Sequence, residues 1–315
     1  MTSAPAPRVV CVVGPTASGK TGLGIDLATA LDAEIVSADS RQVYRHMDVG
    51  TAKPTPAERA RVPHHCLDMV EPEEAFDVSR FRGAAAEAIA GIRARGRQAL
   101  VVGGTGLWLR VLLQGLCDAP PETPELRAVL RVFAERDGVA TLHGWLERLD
   151  PTAAARIHPN DTVRIVRALE VALSSGRPLS AWQAEHAFAY APYDALVIGL
   201  ALPVAELDAR IAARVDAMLA AGFVAEVAAL AARVPPETTA WRAVGYREMR
   251  DHVAGLTSLA DAVAATVRAT RQFAKRQRTW FRRDAAIVWR HPRRDGGRIA
   301  DEVAAFLAAG TRPVA

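Results

Sequence analysis

The sequence predicts an α/β fold: a parallel sheet flanked by helices and interrupted by an all-helical insertion. Three observations predict it. The apolar run Val9-Val10-Cys11-Val12-Val13 leads through a glycine-bracketed turn into a helical pattern from Lys20 to about Leu31. Further short apolar runs, Glu34–Ala38 and Gln98–Val102, alternate with helical stretches, as consecutive βα units do. From about 120 to 194 strand signals disappear and only helical patterns remain.

The first turn reads Gly14-Pro15-Thr16-Ala17-Ser18-Gly19-Lys20-Thr21, the pattern of a phosphate-binding loop. Glycines permit the left-handed dihedrals that let backbone N–H groups wrap a phosphate. The helix that follows offers unpaired N–H groups and the positive end of its dipole. Lys20 adds a full charge, and the Thr21 hydroxyl is the usual magnesium ligand. The fold is therefore P-loop NTPase-like, and its loop binds a di- or triphosphate, ATP included.

The second strand ends at Asp39-Ser40-Arg41-Gln42, and a strand–helix–strand unit of this length implies parallel pairing. Residues 43–75 are rich in loop signals. A helix then runs from Asp77 to Arg95, stopped by Gly96, before the third strand enters Gly103-Gly104-Thr105-Gly106. Pro120-Pro121-Glu122-Thr123-Pro124 marks the start of the insertion, 120–194, and the core comprises 8–119 and 195–315. A strand at Ala195–Leu200, helices over 204–219, 223–233 and 258–283, and a last strand at Ala286–Trp289 complete the core. Open α/β sheets bind ligands at the carboxyl ends of their strands, which places the loop, Asp39 and Thr105 beside one site.

The chain has 315 residues, 50% hydrophobic and 23% charged, with a net charge of +4. That excess suits a polyanionic partner only if the cations cluster. The three cysteines, Cys11, Cys66 and Cys117, lack disulfide or metal spacing, and His64, His65, His143, His158 and His186 form no zinc pattern with them. Neither a signal peptide nor an apolar run of the ~20 residues a bilayer requires is visible. A cytoplasmic protein with no membrane partner is expected, in a monomeric state.

Asp39 is positioned to bind magnesium, hold a substrate hydroxyl or act as a general base, where an isolated aspartate would more ordinarily cap a turn. Ser40, Arg41 and Gln42 supply donors that read a base edge or a phosphate. Thr105, in its glycine turn, is suited to hold leaving oxyanions. The third strand ends without the acid of a Walker B element, which argues against an ordinary motor ATPase. On the helix 258–283, Arg268, Arg271, Lys275, Arg278 and Arg282 form one stripe with no acid between Arg268 and Arg283. Leu259, Val263, Val267, Phe273, Ala274, Trp280 and Phe281 form the adjoining packing face. In the insertion, Asp161 caps a helix carrying Arg164 and Arg167, and Arg127 with Arg131 repeats the spacing, which together suits a polyanion clamp. Six tryptophans read as packing residues, one of them available to stack on a base.

These motifs together resemble the bacterial tRNA dimethylallyltransferases. The resemblance is carried by Gly14–Thr21, Ser37–Tyr44, Asp48–Pro54, Pro63-His64-His65, Val102–Gly106, Arg156–Asp161 and Arg271–Gln277. Trp108 stands where that family usually has a tyrosine, and no zinc-finger extension of the eukaryotic kind follows. The resemblance implies transfer of a dimethylallyl group from dimethylallyl diphosphate to the exocyclic amine of an adenosine beside the tRNA anticodon. It implies that Lys20, Thr21, the loop and Mg²⁺ neutralise the leaving diphosphate, that Asp39 takes or orients the amine proton, and that Thr105 holds the amine or a diphosphate oxygen. By the same match Arg214 adds a diphosphate contact. The tRNA would be touched by Asp39, Ser40, Arg41, Gln42, Thr105, Arg127 and the stretch Val163-Arg164-Ile165-Val166-Arg167. The rival readings are a small-molecule or nucleotide kinase, from which ADP would leave, and a non-catalytic RNA-binding NTP switch.

Overall fold

The computed structural model describes residues 6–186 and 191–309. Residues 187–190 of the expected insertion and 310–315 of the expected core lie outside the described residues. The chain divides into two compact units, Met1–Leu113 with Pro192–Ala315, and Gln114–Ala191. The division falls at the end of a helix and just before a strand, rather than at Pro120 and 194.

In the larger unit the order begins β1 (Arg8–Val13), α1 (Lys20–Ala30), β2 (Ala33–Ser37), α2 (Pro56–Arg61), β3 (His64–His65), α3 (Val78–Ala94), β4 (Gln98–Gly103) and α4 (Gly106–Gln114). The helical unit holds α5 (Pro124–Asp137), α6 (Val139–Leu149), α7 (Pro151–Ala154), α8 (Thr162–Ser175) and α9 (Leu179–His186). The larger unit resumes with β5 (Asp194–Leu200), α10 (Val204–Ala220), α11 (Phe223–Ala231), α12 (Tyr246–Val253), α13 (Leu259–Phe281), β6 (Val288–Arg290) and α14 (Gly296–Ala308).

Among the described residues the six strands pair in the order β3-β2-β4-β1-β5-β6, all parallel. The central strands are buried on both faces, which is why they read as unbroken apolar runs and not as alternating ones. Val9, Cys11 and Val13 face one layer with Phe81, Ile89 and Trp108. Val10 and Val12 face the other with Ile25, Ile299 and Val303. Cys11 is a core residue of the first layer, and burial pushes its thiol up to about 12. Trp108 is buried and stacks on Phe81 with ring centroids 4.3 Å apart, so the aromatic position serves packing.

Several elements went unread because their signals are local and weak. The strand β3 has two residues, and α2 rests on a Thr55–Glu58 capping box over a short polar segment. Helices α12 and α14 were likewise unread; α14 closes the second layer of the core through Ile299 and Val303.

One charge cluster is anchored inside the larger unit. The Glu34 carboxylate, on β2 and 3% exposed, receives Arg95 at 3.1 and 2.7 Å and His65 at 2.6 Å. The Arg95 bonds, aided by His65 and opposed by burial, hold the carboxyl down at about 2, below its ordinary 4.5. A carboxyl lowered on folding stabilises the fold above its unfolded value and loses that contribution as pH falls through the folded one. We expect Glu34→Gln to be less stable than the parent at pH 7, with the difference closing between about 4.5 and about 2. Urea denaturation across that range checks it; a pH-independent difference would contradict the ion-pair account.

Candidate active site

The loop between β1 and α1 is built to leave donors free. Gly19 caps α1 with φ 91, a left-handed value that a side chain disfavours, and no side chain caps the helix start. No acid lies in the first turn to neutralise the dipole. Ala17 also has a positive φ, 62, uncommon outside glycine, and it packs against the cluster of Leu202, Leu207, Ile211 and Ala274.

Thr16, Ala17, Gly19, Lys20 and Thr21 line a cavity of about 510 Å³. Gly14, Pro15 and Ser18, expected among the phosphate ligands, do not line it. Proline has no N–H to give, and its carbonyl instead accepts Lys20 Nζ at 2.7 Å. The Ser18 N–H donates to the Pro15 carbonyl, and its buried hydroxyl has no hydrogen-bond partner.

The parallel order delivers Asp39 from β2 and Thr105 from beyond β4 to the same cavity, together with Ser40, Arg41, Gln42 and Arg214. The two strand ends are tied to each other. Thr105 N–H donates to the Ala38 carbonyl at 3.2 Å, and Thr105 Oγ1 accepts the Ser40 N–H at 3.0 Å. Asp39 Oδ1 accepts the Arg41 N–H at 2.9 Å, which fixes the carboxylate in a turn. Burial pushes the Lys20 ammonium down to about 7; Asp39 pulls it back up and Arg214 pushes it further down. Burial likewise lowers Arg214, against the pull of Asp39. Two cations desolvated around one carboxylate leave an uncompensated need for anionic charge.

The same cavity is also lined by the apolar side chains of Val215, Met218, Phe223, Val244 and Trp280. Thr21 and Asp39 also line a small chamber of about 40 Å³ with Ser37 and His64. No group of three or more His, Cys, Asp or Glu able to hold a metal occurs among the described residues. A Mg²⁺ at Thr21 would therefore draw most of its ligands from phosphate and water, as that ion commonly does.

Some expected contacts are committed elsewhere. The Gln42 amide is buried, accepting from Ser37 Oγ at 3.0 Å and donating to the carbonyls of Thr51 and Ala52. It braces the loop and has no free edge to read RNA. Arg41 donates to the Thr239 carbonyl at 3.0 Å. In the helical unit Ile165 and Val166 are buried in the core of that unit, because α8 turns that face inward; only Val163 and Arg164 of the expected stretch are well exposed. Arg127 and Arg167 both pair with Glu170, a fully buried acid, at 2.7 Å each. On α13, Arg268, Lys275 and Arg282 are exposed, while Arg271 has Asp208 at 3.7 Å, an acid from α10 that a search along one helix misses. Leu259, expected in the packing face, is 43% exposed because it is the first residue of α13; further along, the same face buries Ala262, Thr266, Ala274, Gln277 and Phe281.

Residues unassigned from the sequence also reach the cavity: Arg242, Arg276, Thr266, Thr270 and Gln277. The signal for Gln277 was present as a polar residue in register with Ala274 and Phe281 on the apolar face. Glu226 went unread as well. It accepts the N–H groups of Asp48, Val49 and Gly50 and the Tyr246 hydroxyl, and so anchors the 43–55 loop.

A cavity lined together by a phosphate loop, a fixed carboxylate and a group of apolar side chains defines an α/β enzyme of the phosphate-loop class, with a lining that suits a ligand part anion, part hydrocarbon. A family model described as IPP transferase matches residues 42–284, and one described as Isopentenyl transferase matches residues 7–68. A tRNA dimethylallyltransferase 1 of Trichlorobacter lovleyi is 49% identical over 96% of this chain and 99% of its own. A tRNA dimethylallyltransferase of Anaeromyxobacter dehalogenans is 51% identical over 94% and 99%. The crystal structure of a full-length tRNA isopentenylpyrophosphate transferase from Bacillus halodurans superposes with a TM-score of 0.70 at 38% identity, over 96% of this chain and 95% of that one. A eukaryotic dimethylallyltransferase acting on tRNA gives 0.83 at 27% identity, over 96% and 80%. The chain belongs to the IPP transferase family.

Gly106 tests how the cavity wall is packed. A methyl there would overlap the Trp280 ring. Alanine would gain helix propensity of up to about 1 kcal/mol, whereas overpacking costs about 1–3 kcal/mol, so we expect Gly106→Ala to be destabilising in urea. A neutral or stabilising result would mean that Trp280 moves aside freely.

Proposed function

We propose that this protein transfers a dimethylallyl group from dimethylallyl diphosphate to the exocyclic amine of the adenosine next to the tRNA anticodon, releasing diphosphate. The observation that carries the reading is the convergence of Lys20, Asp39, Thr105 and Arg214 on one cavity that Val215, Met218, Phe223 and Trp280 also line. The kinase reading finds no counterpart among the relatives, which are named dimethylallyltransferases.

In this reading the amides of the loop, Lys20 and Arg214 hold the diphosphate and stabilise the charge that develops as the carbon–oxygen bond breaks. Thr21 would hold Mg²⁺, which adds further charge neutralisation on the diphosphate. Asp39 accepts the proton lost by the amine as its nitrogen bonds to the allylic carbon. Thr105, locked to Ser40, positions the amine or a diphosphate oxygen. Val215, Met218, Phe223 and Trp280 shield the allylic cation character from water. The target base leaves its stack to reach this depth, at a few kcal/mol, and phosphate contacts from exposed arginines offset that cost. Arg268, Lys275, Arg276 and Arg282 on α13, and Arg164 on α8, are the exposed candidates for those contacts. The protein acts as a cytoplasmic monomer; no described helix is long and apolar enough to cross a membrane.

Purified protein incubated with labelled dimethylallyl diphosphate and unmodified tRNA is expected to label the tRNA. Phosphorylation of a metabolite from ATP, with unlabelled tRNA, would reverse the reading. Asp39→Ala should lower kcat by about 100- to 10,000-fold with little change in tRNA affinity; equal losses in both would place Asp39 in binding.

The helical unit separates two kinds of arginine. Arg164→Ala should weaken tRNA binding and flatten its salt dependence by about one ion without loss of stability. Arg127→Ala removes a partner from buried Glu170 and should cost about 1–3 kcal/mol of stability. Filter binding across a salt series with parallel urea melts distinguishes them; an unchanged slope for Arg164→Ala would place that side chain off the RNA.

A further inference from the structure

We infer that Gln277 is a positioning residue for the reaction: its amide holds the phosphate loop and the Thr105 turn at one fixed separation. The inference rests on the prenyl-transfer reading only for its kinetic consequences.

The geometry uses both ends of the amide. Gln277 Oε1 accepts the Thr16 N–H at 2.8 Å, and Gln277 Nε2 donates to the Gly104 carbonyl at 2.9 Å. One segment needs an acceptor and the other a donor, about the span of one side chain apart. A primary amide supplies both at once and stays uncharged at neutral pH. The residue is 7% exposed, and its bond to Gly104 is buried, so water competes little there.

Two further observations point to the same contact. Ala17, left-handed without being glycine, is packed against a cluster that includes Ala274, one turn before Gln277 on α13. The loop's left-handed residue and its Thr16 amide are therefore both held from outside the loop, the first by a cluster shared between α10 and α13 and the second by Gln277 itself. On the other segment, any Cβ at position 104 would overlap Gln277 Nε2, and any Cβ at 106 would overlap Trp280. The turn that carries Thr105 is thus glycine on both sides of that residue so that two side chains of α13, one turn apart, can enter it.

The chemical consequence follows from preorganisation. The cradle must present its amides, and Thr105 its hydroxyl, at a set distance before the diphosphate arrives. Without Gln277 the Thr16 N–H and the Gly104 carbonyl lose their partners. The loop then relaxes, and the ligand must order it on binding. The same helix carries the exposed Arg268, Lys275 and Arg282, so the residue that sets the phosphate site stands on the element proposed to meet RNA.

The test uses inorganic diphosphate as probe, by calorimetry, alongside dimethylallyl diphosphate kinetics and tRNA filter binding. Gln277→Leu removes both bonds and is expected to weaken diphosphate binding at least about tenfold, raise KM for the allylic substrate similarly, and leave tRNA affinity within about twofold. Gln277→Met is uncharged, close in length and volume, and serves if leucine prevents folding. It makes neither bond and should weaken diphosphate about as much. Gly104→Ala should reproduce the loss in the parent and add little in Gln277→Leu, the non-additivity expected of partners in one contact. Unchanged diphosphate affinity in either folded variant, even with a lowered melting temperature, overturns the assignment, because a purely structural glutamine predicts that outcome. Additive losses in the double variant overturn it too. Since the probe is diphosphate itself, a parent protein that binds it but fails to label tRNA would sink the transfer reading and leave this measurement standing.

Discussion

The structure depends on a loop that pairs its Thr16 and Ser18 amides yet leaves the start of α1 uncapped. Folding normally pairs every buried N–H, and a helix start is ordinarily closed by a side chain. Here Gly19 caps α1 with nothing, and the first turn contains no acid. Such an arrangement has no reason to persist by itself. It persists because the segment is held from outside: by the pairing of β1 between β4 and β5, by the packing of Ala17, and by the Gln277 bond to Thr16. The strained, open element is affordable only on a rigid frame, and the doubly covered parallel sheet is that frame.

Electrostatics sharpen the same point. Lys20 is brought down to about 7 and Arg214 is lowered too, both mainly by burial, with one carboxylate nearby. Such a pair of partly desolvated cations favours added negative charge. A diphosphate supplies it, and a leaving diphosphate, whose charge grows as the carbon–oxygen bond breaks, supplies more than the ester does. The apolar side chains that share the cavity suit a diphosphate that carries hydrocarbon.

Legibility from the sequence followed the range of the interactions. The loop, α1 and the three strands that deliver the loop, Asp39 and Thr105 were readable because each is specified by neighbours along the chain. The convergence of those three segments was readable without the strand order, since every parallel strand ends on the same edge. What escaped was set by partners remote in sequence. Gln277 matters through Thr16 and Gly104, Glu226 through amides near 49, and α13 buries the polar Gln277 and Thr266 on the same face as its apolar residues. A glutamine on an apolar face was the visible trace of such a partner.

The arginines of the helical unit carry the complementary lesson about charge. Spacing alone made Arg127, Arg164 and Arg167 equivalent. Glu170, buried at the centre of α8, breaks that equivalence by engaging two of them, and the Thr123 N–H completes its shell. A buried carboxylate cannot be left with water as its partner, so the arginines it takes are fixed by the fold's own requirement and contribute little free charge to a polyanion. Arg164 differs only in pointing away, 65% exposed with Asp161 at 3.5 Å. The attraction for RNA is therefore set less by how many cations the sequence holds than by how many the buried acids leave unclaimed. Read that way, the modest net charge of +4 is no obstacle to gripping a polyanion. The exposed Arg268, Lys275 and Arg282 of α13 have no acid within their own stretch of helix, and an unshared charge on a rigid helix is worth more to a phosphate than a larger number already paired.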